Sequence, residues 1–175
     1  GAAYVTTSAE RAKDLRQRPA IVDGVARARS HTTTYFSQQT DFTATPAKFS
    51  TAAAFAMAGI GCPDVDVLTA YDPFTIVSLM QIEDMGFCKK GEAADFIRNG
   101  RLDHTSTRRK GGLPFNTHGG LLSHAYVLGI AHVLELVKQL RGTAPNQVDD
   151  AEIGVFAGYS GEDTSTLVLR RGDRP

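Results

Sequence analysis

The sequence has no tryptophan and only two cysteines, Cys62 and Cys88. The two are not in CxxC spacing, and no His/Cys cluster has zinc-ligand spacing. A cysteine redox motif is therefore excluded, no metal site is expected, and reduced thiols in an intracellular protein are the plain reading. Excess charge of either sign is also missing: 19 Lys and Arg balance 19 Asp and Glu. That excludes the basic footprint of a nucleic-acid binder. No apolar run approaches the ~20 residues that span a bilayer. The opening stretch GAAYVTTSAE lacks the basic and apolar regions of a secretory signal. Internal repeats and low-complexity tracts are absent. The expectation is a cytoplasmic protein with neither a membrane span nor a nucleic-acid partner.

What is present suits one domain over residues 1–175: ordinary length, and 42% hydrophobic residues to fill a core. Tyr4–Thr7 reads as a short β-branched strand and Ala9–Gln17 as a helix capped by Ser8. Pro19 ends that helix, and Ala20–Ala28 alternates as a strand. Ser30–Lys48, rich in Thr, Ser, Gln and Pro, predicts a long surface loop peripheral to the domain, running to residue 49. A helix follows over Thr51–Ala58, then a strand over Val65–Ala70 and helices over Phe74–Glu83 and Gly91–Asn99. Arg101–Lys110 reads as a polar, basic loop. Ala151–Ala157 and Thr166–Arg170 read as a last pair of strands around the turn GYSG. Strands alternating with helices predict an α/β fold with a mixed sheet covered by helices. The chain is already apolar at its first residue, which suggests one half of a longer, two-half chain.

The most informative stretch is GGLPFNTHGGLLSHAYVLG, Gly111–Gly129. A Gly-, Pro- and Asn-rich turn runs into an apolar segment. Gly120–Arg141 reads as one long helix, apolar on nearly every face, and hence as a central buried helix. A buried helix start offers unpaired N–H groups and partial positive charge to an anion. Gly119 and Gly120 are the candidate donors. His118, His124 and Tyr126 cluster at this mouth. His124 stands two residues before Tyr126, on another helix face, and reads as a satisfied structural histidine. His132, two turns in, reads as core.

Several of these segments, in this order, resemble the C-terminal half of thiolases. Asn116-Thr117-His118-Gly119-Gly120 followed by Gly129 resembles the N-x-x-G-G segment that opens the central helix of that half. Tyr71-Asp72-Pro73-Phe74 sits where thiolases carry N-E-A-F. Gly86–Glu92 (GFCKKGE) and Gly100–Leu102 (GRL) resemble the lipid-transfer-protein, or sterol-carrier-protein-type, branch. The resemblance covers almost the whole chain and implies a thiolase-like C-terminal half.

The departures from the pattern carry the chemistry. Tyr126 holds the position of the His in G-H-P. Tyr71 holds the position of the oxyanion-hole Asn of N-E-A-F. Ala157, or Phe156 after a one-residue slip, holds the position of the second catalytic Cys, and no Cys follows Cys88. Claisen chemistry needs that base and that thiol. The set of substitutions is similar instead to the thiolase-superfamily aldolases that cleave steroid side chains. The resemblance then implies retro-aldol cleavage of a β-hydroxyacyl-CoA to a ketone and propionyl-CoA. Tyr126 and Tyr71 would be the acid/base residues, with His118 and His124 as second candidates for proton relay and Asp72 orienting a tyrosine. No cofactor is implied beyond the CoA of the acyl-CoA thioester substrate. A small partner with an OB-fold and a zinc ribbon is implied, on a homodimer core. Two alternatives stay open: an unusual acyl-CoA thiolase or acetyltransferase whose nucleophile lies in another half, and a non-catalytic acyl-CoA or lipid-binding scaffold.

Overall fold

A computed structural model describes residues 1–30 and 39–172. Ten elements follow in order: α1 (Ala9–Ala12), β1 (Ala20–Arg29), α2 (Ala47–Ala58), β2 (Val67–Ala70), α3 (Thr75–Asp84), α4 (Ala93–Phe96), α5 (Gly120–Ser123), α6 (Ile130–Arg141), β3 (Ile153–Tyr159) and β4 (Asp163–Arg171). The four strands form one mixed sheet in the order β1-β4-β3-β2. β1 and β3 flank β4 antiparallel, and β2 runs parallel to β3. Residues 114–116 extend the sheet beyond β2, where Leu68 N–H donates to Pro114 O and Asn116 N–H to Leu68 O.

The sheet is covered on both faces, and each face has its own core. On one side Ala54 and Phe55 of α2 pack with Leu68, Ile82, Val155 and Val168. On the other side Leu136 and Leu140 of α6 pack with Val67, Val148 and Leu169. β2 is buried at all four positions, as an inner parallel strand must be. α2 lies close on β1 because Gly24 has no side chain; a Cβ there would overlap the carbonyl of Ala54. Ser50 Oγ on α2 bonds Thr164 Oγ1 (3.0 Å) and Thr166 Oγ1 (2.9 Å) on β4, which satisfies three buried hydroxyls at the same contact.

Four expected elements come out differently, the helix expected over Gly91–Asn99 being only the one turn of α4. Residues 4–7 form no strand, and Tyr4 and Val5 are exposed. The helix expected over Ala9–Gln17 is only the one turn of α1, whose Arg11 N–H is capped by Ser8 Oγ. The expected loop over 30–49 is peripheral only in part: residues 31–38 lie outside the described residues, whereas Thr45, Pro46 and Ala47 are buried and α2 begins at Ala47. Asp84 holds that end, accepting from Thr45 N–H (2.6 Å) and Thr45 Oγ1 (2.8 Å).

The largest difference is at the site. The long helix expected over Gly120–Arg141 is broken into α5 and α6, with residues 124–129 irregular between them. His124 turns extended at φ −107° and ψ 160°, and Leu128 is left-handed at φ 59°. Far from being buried, Leu122 is 84% and Tyr126 65% exposed. Helical stability comes mainly from packing an apolar face, and this segment has little of its own chain against it. The buried helix is α6 alone.

Candidate active site

Two backbone devices bring the site together. Asn116, left-handed at φ 44°, grips the last residue of β2: its Oδ1 accepts Ala70 N–H (2.9 Å) and its Nδ2 donates to Ala70 O (3.0 Å). Tyr71 follows directly and donates its N–H to Ala157 O (2.8 Å) on β3, while its carbonyl accepts from Gln81 Nε2 (2.8 Å). The N-x-x-G-G loop is thus bound to the end of the strand that delivers Tyr71.

A second set of bonds fixes the loop from below. Thr117 Oγ1 donates to Glu135 Oε1 (2.6 Å), and Gln139 Nε2 donates to Glu135 Oε1 (2.9 Å) and to Thr117 Oγ1 (3.0 Å). Asn146 Nδ2 donates to Thr117 O (2.8 Å). Thr117, Glu135 and Gln139 are all buried, and Asn146 joins them from the surface. Paired in this way, buried polar groups rigidify the loop they hold.

The reacting face follows from these anchors. Tyr71 Oη and Tyr126 Oη stand 3.0 Å apart and share one hydrogen bond. That bond, with partial burial and the negative charges nearby, pushes the Tyr71 phenol up to about 12. Asp72, one residue on, accepts His132 Nε2 (2.9 Å) and Leu121 N–H (3.2 Å to Oδ1). Gly120 makes room for that carboxylate: it is left-handed at φ 63°, and a Cβ there would overlap Asp72 Oδ2. His118 packs edge-on to His132 with ring centroids 4.8 Å apart, and His124 lies 5.3 Å from His118. Burial, followed by the neighbouring imidazole of His132, lowers His118 to about 4, so its ring is neutral at neutral pH.

The sequence-expected residues Tyr71, Asp72, His118, Gly119, Gly120, His124 and Tyr126 therefore do converge. Their details differ from the expectation. His124 is exposed rather than satisfied in the core. Leu121 N–H is committed to Asp72, and Gly119 N–H donates to Asn116 O (2.7 Å), so neither is free for an anion. His132 is fully buried, as expected of a core residue, but it is bonded to the Asp72 carboxylate. His132, Glu135 and Gln139 form a polar stripe at i, i+3 and i+7 on an apolar helix, and that spacing was the available signal for the whole buried network. Cys62 and Cys88 are half-buried against the α2-side core, and burial raises both thiols, which disfavours a thiolate nucleophile. Arg108 and Arg109 are spent on Asp66 (2.7 Å) and Asp150 (3.0 Å). No group of three or more His, Cys, Asp and Glu among the described residues could hold a metal ion.

Residues 28–171 match the thiolase C-terminal domain-like family. The chain belongs to that family. It is 38% identical over 171 residues to a 17-hydroxy-3-oxo-4-pregnene-20-carboxyl-CoA lyase of Mycobacterium tuberculosis, covering 95% of this chain and 43% of that protein. It is 36% identical to a steroid side-chain-cleaving aldolase of Thermomonospora curvata, covering 97% of this chain and 43% of that one. A solved Ltp2-ChsH2(DUF35) aldolase superposes with a TM-score of 0.85 at 34% identity over 95% of this chain and 43% of its own. The chain thus spans less than half the length of these relatives. Among the described residues, no helix is long and apolar enough to cross a membrane.

Proposed function

We propose that the protein carrying this domain cleaves a steroid side chain held as a β-hydroxyacyl-CoA ester, releasing a ketone and propionyl-CoA. The observation that carries the reading is the tyrosine pair, Oη to Oη at 3.0 Å, at the positions where a thiolase needs His and Asn. The named activities of the relatives support it.

In this reading Tyr126, exposed at the mouth, takes the proton of the tertiary hydroxyl. Tyr71, whose raised phenol stays protonated, donates a hydrogen bond to the Tyr126 phenolate that receives this proton. As the carbinol becomes a ketone, the carbon–carbon bond breaks and its electron pair passes to the thioester enolate. The proton on Tyr126 then returns to the enolate carbon, so the site is restored. The expected oxyanion cradle narrows to Gly120, since the Gly119 amide is already bonded. His118, uncharged, serves as a relay and hydrogen-bonding group. The cleavage is redox-neutral and calls for no cofactor beyond the CoA of the substrate. The solved Ltp2-ChsH2(DUF35) aldolase supports a second subunit; in the family resemblance that subunit carries an OB-fold and a zinc ribbon and sits on a homodimer core. A cytoplasmic location suits a CoA-ester substrate.

The test uses the complete protein with its partner and a steroid β-hydroxyacyl-CoA. Tyr126→Phe should lower cleavage by roughly 10²–10⁴-fold, the usual worth of an acid/base group, with an unchanged circular dichroism spectrum. Full activity would sink the assignment. A covalent acyl-enzyme in a single turnover would indicate a thiolase instead, and no turnover of any CoA ester by the complete assembly would indicate a scaffold.

A further inference from the structure

We infer that His132 is a positioning residue for the tyrosine pair. Through the carboxylate of Asp72, it staples both ends of the segment bearing Tyr126 to the residue next to Tyr71. This rests on the reading of the two tyrosines as the reacting groups.

Tyr126 sits in residues 124–129, which have no regular structure and are mostly exposed. Its own tethers are few: His124 N–H to Gly120 O (3.1 Å) before it and Val133 N–H to Gly129 O (3.3 Å) after it. With Ala131 N–H to Leu128 O (3.4 Å), these bonds are local to the span, and beyond the single hydroxyl contact between Tyr126 and Tyr71 the tie across to Tyr71 is Asp72. One carboxylate accepts Leu121 N–H, five residues before Tyr126, and His132 Nε2–H, six residues after it. The same residue is peptide-bonded to Tyr71. Both ends of the span are thus tied to one point, one residue from the tyrosine bearing the partner hydroxyl. Gly120 is left-handed and bare, so the carboxylate can reach its place.

His132 is built for this role more than for filling space. It is fully buried, its Nε2 faces an acid, and the Leu128 backbone bonds its ring as well. A residue needed only for packing would be apolar, since a buried imidazole carries a desolvation cost. The groups facing it are Asp72, His118, the Tyr71 ring at 6.2 Å and the Phe156 ring at 6.0 Å. Among the described residues, Asp72 is the side-chain group that bonds its ring, and the Leu128 backbone is the other partner.

The test compares His132→Met with His132→Gln in the complete protein with its partner. The two replacements are near in volume, but only Gln can donate to Asp72. Misplacing a reacting group by ~1 Å costs on the order of 100-fold. His132→Met should therefore lower kcat by about that factor with KM changed by less than about threefold, and His132→Gln should recover most of the loss. A second readout is independent of turnover: the ionisation of Tyr71, followed by NMR of carbon-labelled tyrosine and assigned with Tyr71→Phe. When the pair parts, Tyr71 should fall from about 12 towards the ordinary phenol value of ~10. Wild-type kcat and an unmoved Tyr71 titration in a folded His132→Met would overturn the proposal. Should that variant not fold, Asp72→Asn offers an N–H where an acceptor is needed and is read the same way. Failure of the parent reading looks different: full activity in Tyr126→Phe, whatever His132→Met does to the titration.

Discussion

A single imidazole shows how far burial sets chemistry here. His118 carries no charge at neutral pH because its ring nitrogens are shut away from water and face another imidazole. Its folded-state value, about 4, lies below the ordinary ~6.5, so the unfolded chain binds a proton between those limits and the folded chain does not. Stability from this group is complete above pH ~6.5 and is lost as the pH falls towards 4. His132, also lowered by burial, acts in the same direction. The expected outcome is a thermal midpoint that drops through this window and drops less in His118→Phe, measured by calorimetry across the pH range. Tyr71 has the opposite arrangement. Its raised value favours the folded state below pH ~10, and that contribution is lost as the pH rises through about 12.

The N-x-x-G-G loop depends as an element on α6 beneath it. Glu135 accepts from both Thr117 and Gln139, and Gln139 Oε1 in turn accepts Val148 N–H (2.8 Å). Removing the carboxylate strands the buried Thr117 hydroxyl, at roughly 1–3 kcal/mol for the unsatisfied group, whereas Gln139 Nε2 keeps Thr117 Oγ1 and Asn146 O as acceptors. Glu135→Ala should therefore lower the unfolding free energy by about 1–3 kcal/mol, while Glu135→Gln, which keeps an acceptor, should cost less than half of that. Denaturant melts with matched slopes would check both. Equal losses would mean that the network contributes packing only. The break between α5 and α6 belongs to the same scale. An unbroken helix would carry Tyr126 round with the helical twist and could not present it from a loop.

Across the whole molecule, protection should follow the sheet. β3 and β4 have a bonded neighbour on each side and a core on each face, whereas β1 lies at an edge. Amide exchange should be slowest in β3 and β4 and fastest within residues 121–129, where backbone bonds are few and side chains are exposed. Uniform protection across both would contradict the picture of a rigid sheet presenting a tethered loop. Leu122, next to Leu121, and Phe74 and Ile76, shortly after Tyr71, are also exposed.

Much of this was legible in the chain itself. The alternation of Ala20–Ala28 and the apolar run before Tyr71 sufficed for the α/β class, while the Asn116, Gly119, Gly120 and Gly129 motif carried the resemblance to the family and, through it, pointed to the two tyrosines. Such patterns are local, because the periods of strands and helices are written residue by residue. The break after Ser123 was not legible, because an apolar segment reads as a buried helix whether or not anything packs against it. Nor was the role of His132. Periodicity places it inside, but its partner Asp72 lies sixty residues away, and only the folded chain brings that carboxylate within 2.9 Å. Composition and spacing decided which groups the site holds. Tertiary structure alone decided which of them touch, because hydrogen bonds act across space between residues that the sequence keeps apart.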